Sequence, residues 1–215
     1  MMMTYKKGSK GEVVKQVQKV LHLYPDGIFG KLTEQAVKNF QKNNNLTVDG
    51  IVGPATLAKL GIKYFSLKKS KRIIKEIIVH CSATPEGRDY TVEQIKRDHI
   101  KQGWSDIGYH YVVYRSGLIA IGRDVDIIGA HCSRGGHNQY SIGVCYIGGL
   151  ENKEGVPYNK LKPKDTRTPE QKGSLKNLLI ELKQLYPNAV IYGHHDFDKG
   201  KACPSFDAKT EYKKL

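Results

Sequence analysis

Three side chains of the 215-residue sequence have the types and spacing to share a metal ion. Near the C-terminal end, the pair His194-His195 is followed by Cys203, and the loop between them carries Gly200 and ends at Pro204, so it can fold back on itself. Imidazole and thiolate are donors that Zn²⁺ prefers, and a catalytic zinc usually takes three protein ligands and keeps one position for water. The third ligand is expected at His80, which closes the β-branched run Ile77-Ile78-Val79 as His194 closes another strand. Two strand ends on one edge of a sheet bring two imidazoles within reach of one ion. Successive side chains on extended backbone point oppositely, so only one of His194 and His195 can face the metal. The same alternation turns Cys81 away from His80, and it is expected as a buried core thiol. His110 reads as a satisfied strand histidine, and His22 and His99 fall in helical patterns with an expected surface placement.

The elements that must position these groups follow from period and punctuation. Residues 73–80 read as a strand, and Thr91 with Gln94 forms a capping box that opens a helix to about residue 102. Residues 109–114 and 118–122 flank Arg115-Ser116-Gly117 as a hairpin, and the apolar run 142–147 reads as a central buried strand. A long polar stretch, 149–168, has the length of a functional loop. Thr168 with Gln171 then caps a helix to about residue 186, and 189–192 is the strand that delivers His194. This β-α-β-β-β-α-β order predicts an α/β domain over 73–215, a mixed β-sheet flanked by helices.

Residues 1–62 are different in kind. Asp26-Gly27-Ile28-Phe29-Gly30 with Thr33 recurs as Asp49-Gly50-Ile51-Val52-Gly53 with Thr56, each copy a glycine turn leading into a helix. A capping box at Ser9 to Glu12 opens a first helix with the apolar stripe Val13, Val17, Val20 and Leu21. The second helix offers Ala36, Val37 and Phe40, and the third Leu57 and Leu60, which predicts a small all-α three-helix domain. Residues 63–72 hold five Lys/Arg and no acid, and are expected as a basic linker.

The formal net charge of +14 favours an anionic partner. No apolar run approaches the ~20 residues of a membrane span, and Lys6-Lys7 are followed by no apolar leader core, so synthesis and residence in the cytoplasm are expected. Four cysteines in such a chain are expected as free thiols or metal ligands. The sequence shows no zinc-finger spacing or dense aromatic-basic interleaving, which speaks against a specific nucleic-acid partner.

Two family resemblances rest on these motifs. The paired glycine turns, with Ala36-Val37 and Phe40-Gln41 on the intervening helix, resemble the peptidoglycan-binding domain type 1 family over most of residues 7–60. The run Val79-His80-Cys81-Ser82-Ala83-Thr84 begins a second set of motifs. It continues with Gly103-Trp104, Gly108-Tyr109-His110, Gly129-Ala130-His131, Asn138, Ser141-Ile142-Gly143, His194 and Lys201-Ala202-Cys203-Pro204-Ser205-Phe206-Asp207. Together these resemble the type 2 N-acetylmuramoyl-L-alanine amidases, and within them the amidase-type phage lysozymes.

The resemblance implies one zinc per chain held by His80, His194 and Cys203, catalytic roles for Tyr109 and Lys201, and substrate-groove contacts from His131 and Asn138. The segment Cys132 to His137 is longer than the usual pattern, and one extra residue separates His194 from Cys203. The implied function is cleavage of the amide between N-acetylmuramic acid and L-alanine in peptidoglycan, by a monomeric phage or prophage endolysin that reaches the wall after release. The alternative is a non-catalytic peptidoglycan-recognition protein on the same scaffold.

Overall fold

A computed structural model of the chain describes residues 4–10, 12–62 and 67–215, apart from the side chains of Glu12 and Pro54. Two compact units divide between residues 66 and 67.

The first unit is built of α1 (Glu12–Val20), α2 (Lys31–Asn43) and α3 (Pro54–Lys59) around Val14, Val17, Phe29, Val37, Val52, Leu57 and Leu60. The buried line of α1 runs through Val14, Val17 and Gln18, while Val20 is 42% exposed, so the expected stripe is rotated toward a glutamine. That buried amide explains the internal repeat. Gln18 donates to the Asp26 carboxylate, the Ile28 carbonyl and the Thr33 hydroxyl, and accepts from Gly27 N–H at 2.8 Å. Gln41 makes the same four bonds to Asp49, Ile51, Thr56 and Gly50. Gly27 and Gly50 sit at φ 76° and 72°, the left-handed region in which a side chain is strained. Each helix therefore holds the turn that follows it through one saturated side chain. The expected cap at Ser9 to Glu12 involves Gly11 and the Glu12 side chain, which lie outside the described residues.

The second unit carries a five-stranded sheet of β1 (Glu76–Cys81), β3 (Tyr111–Val113), β4 (Ile119–Ile121), β5 (Ser141–Tyr146) and β7 (Val190–Gly193), in the order β4-β3-β5-β1-β7. Only the β3–β4 pair is antiparallel. A pair of two-residue strands, β2 (Thr84–Pro85) and β6 (Gly149–Leu150), adds a small parallel ribbon that the sequence pattern is too short to show. β5 is buried at all six residues, as its continuous apolar run requires. Both capping boxes form, at Thr91 before α4 (Val92–Lys101) and at Thr168 before α5 (Pro169–Leu185). α4 packs through Ile95 against Val112 and Ile147, and α5 buries four leucines while its Gln171 amide caps the carbonyls of Val113 and Ile147. A short helix, α6 (Ala208–Glu211), lies by β7.

Residues 63–66 of the expected linker lie outside the described residues, and residues 68–72 belong to the second unit. Lys68 pairs with Asp124 and Asp126, and the Ser70 hydroxyl donates to the Val125 carbonyl. The Arg72 guanidinium donates to the carbonyls of Val125, Ile127, Asn138, Gln139 and Ser141. What reads as a solvated basic connector is, in this half, a clamp on the loop that leads into β5.

Candidate metal centre and groove

His80 and His194 meet because of parallel strand register. Val79 lies opposite Gly193, so the next residue of each strand emerges at the same level on the C-terminal edge of the sheet, where open α/β sheets place their ligands. The chain then turns through a single helical turn, His194–Asp196, and returns with Cys203. The return passes so close to β7 that a Cβ on Gly193 would stand 2.7 Å from Pro204 Cδ, which is why glycine precedes His194. The donor atoms of His80, His194 and Cys203 all fall within 4.8 Å of one another.

Electrostatics set the protonation of this group. Burial, followed by the neighbouring His194, pushes the pKa of His80 well below the ordinary histidine value, and burial with the Lys201 charge lowers that of His194. Both imidazoles are therefore neutral at pH 7, the form able to donate a lone pair to a metal. The adjacent Cys81 thiol and burial push the Cys203 thiol up, so a divalent ion would have to displace its proton. The backbone N–H of Cys81 already points at Cys203 Sγ from 3.2 Å, a donor suited to a thiolate. His195 is not in the donor group, and its backbone N–H closes the loop on the Cys203 carbonyl at 2.8 Å. Cys81 is 7% exposed, and all four cysteines are free.

Tyr109 lies beside His80, with ring centroids 5.2 Å apart. Burial and the nearby thiols push its phenol well above the usual range, so the hydroxyl keeps its proton. Lys201 is exposed and lines a groove of about 510 Å³ together with His194, Trp104 and the ion pair Arg134–Asp198. A second hollow of about 390 Å³, lined by Tyr109, His99, Tyr90 and Tyr158, adjoins the centre on the Tyr109 side.

The two residues expected to touch substrate are turned inward as well as lining the groove. His131 is 6% exposed, with Nδ1 3.0 Å from His80 Nε2. Asn138 is half-buried and its Oδ1 accepts the backbone N–H groups of His131 and Cys132 at 3.0 and 2.8 Å. His99 departs from its expected surface placement: it is 9% exposed, accepts from Gly108 N–H and stacks on Trp104 at 4.3 Å. Its position on the inward face of α4, four residues after Ile95, was the available signal. Arg134 and Asp198 were not anticipated, because an ion pair closed across 64 residues leaves no local pattern.

Comparison with known proteins agrees with this geometry. Residues 70–206 match the family model described as N-acetylmuramoyl-L-alanine amidase, and residues 10–60 match that of a putative peptidoglycan binding domain. The endolysin of Klebsiella phage KP32 is 43% identical over 139 residues, 65% of this chain and 85% of that protein. The endolysin of Escherichia phage T7 is 40% identical over 146 residues, 68% of this chain and 90% of that protein. Among solved structures, an endolysin N-acetylmuramoyl-L-alanine amidase, LysCS from Clostridium intestinale, superposes with a TM-score of 0.51 at 25% identity, covering 70% of this chain and 88% of that one.

Proposed function

This chain belongs to the N-acetylmuramoyl-L-alanine amidase family, and from that premise we propose that its peptidoglycan amidase activity is carried by one zinc ion held by His80, His194 and Cys203. The observation that carries the proposal is the convergence of two neutral imidazoles and a thiol within 4.8 Å at a sheet edge bordered by a groove. When bound, zinc would supply a positive centre that polarises the scissile carbonyl and makes its water acidic enough to attack near neutral pH.

The protein groups do the rest. Lys201, on the groove wall beside His194, sets a positive charge against the amide oxygen as it becomes anionic. Tyr109, whose hydroxyl remains protonated, orients the water or passes a proton toward the leaving amine. Trp104 and the Arg134–Asp198 pair offer the groove a ring face and fixed charges for the substrate's stem. The first unit holds the wall while the second cuts it, and the net charge of +14 draws the chain to an anionic polymer. In this reading the protein is a phage or prophage endolysin acting after release from the cytoplasm. A complete donor set favours it over a recognition protein that binds peptidoglycan without cutting it.

The test is zinc content and turnover measured together. Wild type should carry one zinc per chain and lose both metal and activity with a strong chelator. Cys203→Ser should bind zinc poorly and turn over at background. Full turnover in metal-free protein would contradict the assignment.

A further inference from the structure

We infer that His131 is a positioning residue: it fixes which ring nitrogen His80 presents to the metal, and Gly129, Asn138, Ser141 and Gly143 exist to seat it. This rests on the zinc reading above. His80 Nδ1 faces Cys203 Sγ at 3.7 Å, so Nδ1 is the nitrogen on the ligand side. Its other nitrogen, Nε2, lies 3.0 Å from His131 Nδ1. A nitrogen that donates its lone pair to a cation carries no proton, so a neutral His80 must hold its proton on Nε2 and donate it to His131 Nδ1. His131 then carries its own proton on Nε2, which faces the Ser141 hydroxyl oxygen at 3.4 Å. The direction of each bond follows from the one before it.

The surroundings are built for this ring. A Cβ on Gly129 or on Gly143 would each stand 2.5 Å from His131 Cδ2, so the imidazole occupies a slot that only two glycines leave open. The main chain at His131 and Cys132 is held by Asn138 Oδ1, and that of Asn138 by Arg72. Metal-bound histidines commonly pass their second N–H to a carboxylate or a carbonyl. Here a neutral imidazole takes it, which orients His80 without adding negative charge beside the ion.

The experiment compares His131→Leu and His131→Asn with wild type in a zinc competition titration against a chelating dye. Leu removes the acceptor and keeps an apolar volume, whereas the Asn side-chain oxygen can stand near Nδ1. The expected result is a zinc Kd raised about 10- to 100-fold in His131→Leu and brought back to within about threefold of wild type in His131→Asn. Equal loss in both variants, or no loss in His131→Leu, would overturn the inference. A second measurement needs no substitution: long-range proton–nitrogen correlation spectra of ¹⁵N-labelled, zinc-loaded wild type should show the His131 proton on Nε2, and a proton on Nδ1 would overturn it. Failure of wild type to bind zinc sinks the metal assignment itself, whereas stoichiometric binding with unchanged His131 variants sinks only the role given to His131.

Discussion

At the scale of single residues, the proposed centre separates ligands, charged helpers and supports, and each should fail in its own way. Lys201 is exposed and contributes charge to the groove, so Lys201→Ala should retain zinc and fold normally while kcat falls about 10²- to 10³-fold, the usual cost of removing one group that stabilises a developing oxyanion. Steady-state kinetics with a zinc assay checks this, and loss of zinc in step with activity would move Lys201 from chemistry to site assembly. Tyr109→Phe should likewise keep the metal, since its ring packs beside His80 and only the hydroxyl is removed. Its deficit belongs in kcat, and a change confined to KM would assign the hydroxyl to substrate binding instead.

At the scale of elements, the N-terminal repeat makes a sharper prediction than its turns alone. Gln41 is 1% exposed and spends its amide on Asp49, Ile51, Thr56 and Gly50. Gln41→Leu leaves the Gly50 N–H and the Asp49 carboxylate without their buried partner, and should destabilise the first unit by about 2–4 kcal/mol in denaturant unfolding of the full chain. The second unit's transition should stay in place. Much of this was legible in the sequence, and the division is physical. Strand runs, two capping boxes and the glycine turns announce themselves because they depend on neighbours a few residues away; His80 and His194 could be named because each stands at a strand's end, whereas Cys203 lies in a turn and is named by its residue type and the motif around it. Gln18 and His131 could not be read in the same way. A glutamine on an amphipathic helix looks like its wet face until the turn eight residues on is seen to fold under it. A histidine whose partner lies 51 residues earlier reads only as a groove residue, and the strands show that the same ring also meets His80. The basic stretch before β1 misleads for the same reason, since Arg72 finds its carbonyls 53 to 69 residues downstream.

At the scale of the whole molecule, buried histidines set an acid limit on stability. His110 is fully buried, accepts the Gly143 N–H on Nδ1 and donates from Nε2 to the Ile127 carbonyl, and burial pushes its pKa from 6.5 down to about 4. The unfolded chain takes up this proton first, so the native state is favoured above about pH 6.5 and loses that advantage as pH falls toward about 4. A shift of this size corresponds to roughly 3 kcal/mol. Urea unfolding of the second unit should therefore weaken steeply across that window, and His110→Gln should flatten the pH dependence even where it lowers stability overall. The charge of +14 makes a separate claim, that attraction to the wall is screened by salt, so retention on purified walls should fall as ionic strength rises past physiological values.

The central claim is that this molecule cuts the amide between the glycan and its peptide, and mass analysis of muropeptides after digestion by the zinc-loaded protein tests it most directly. The account expects released peptides that begin with a free L-alanine amino group and glycan strands left uncut, both abolished in Cys203→Ser. New reducing sugar ends without free L-alanine amino termini would contradict it.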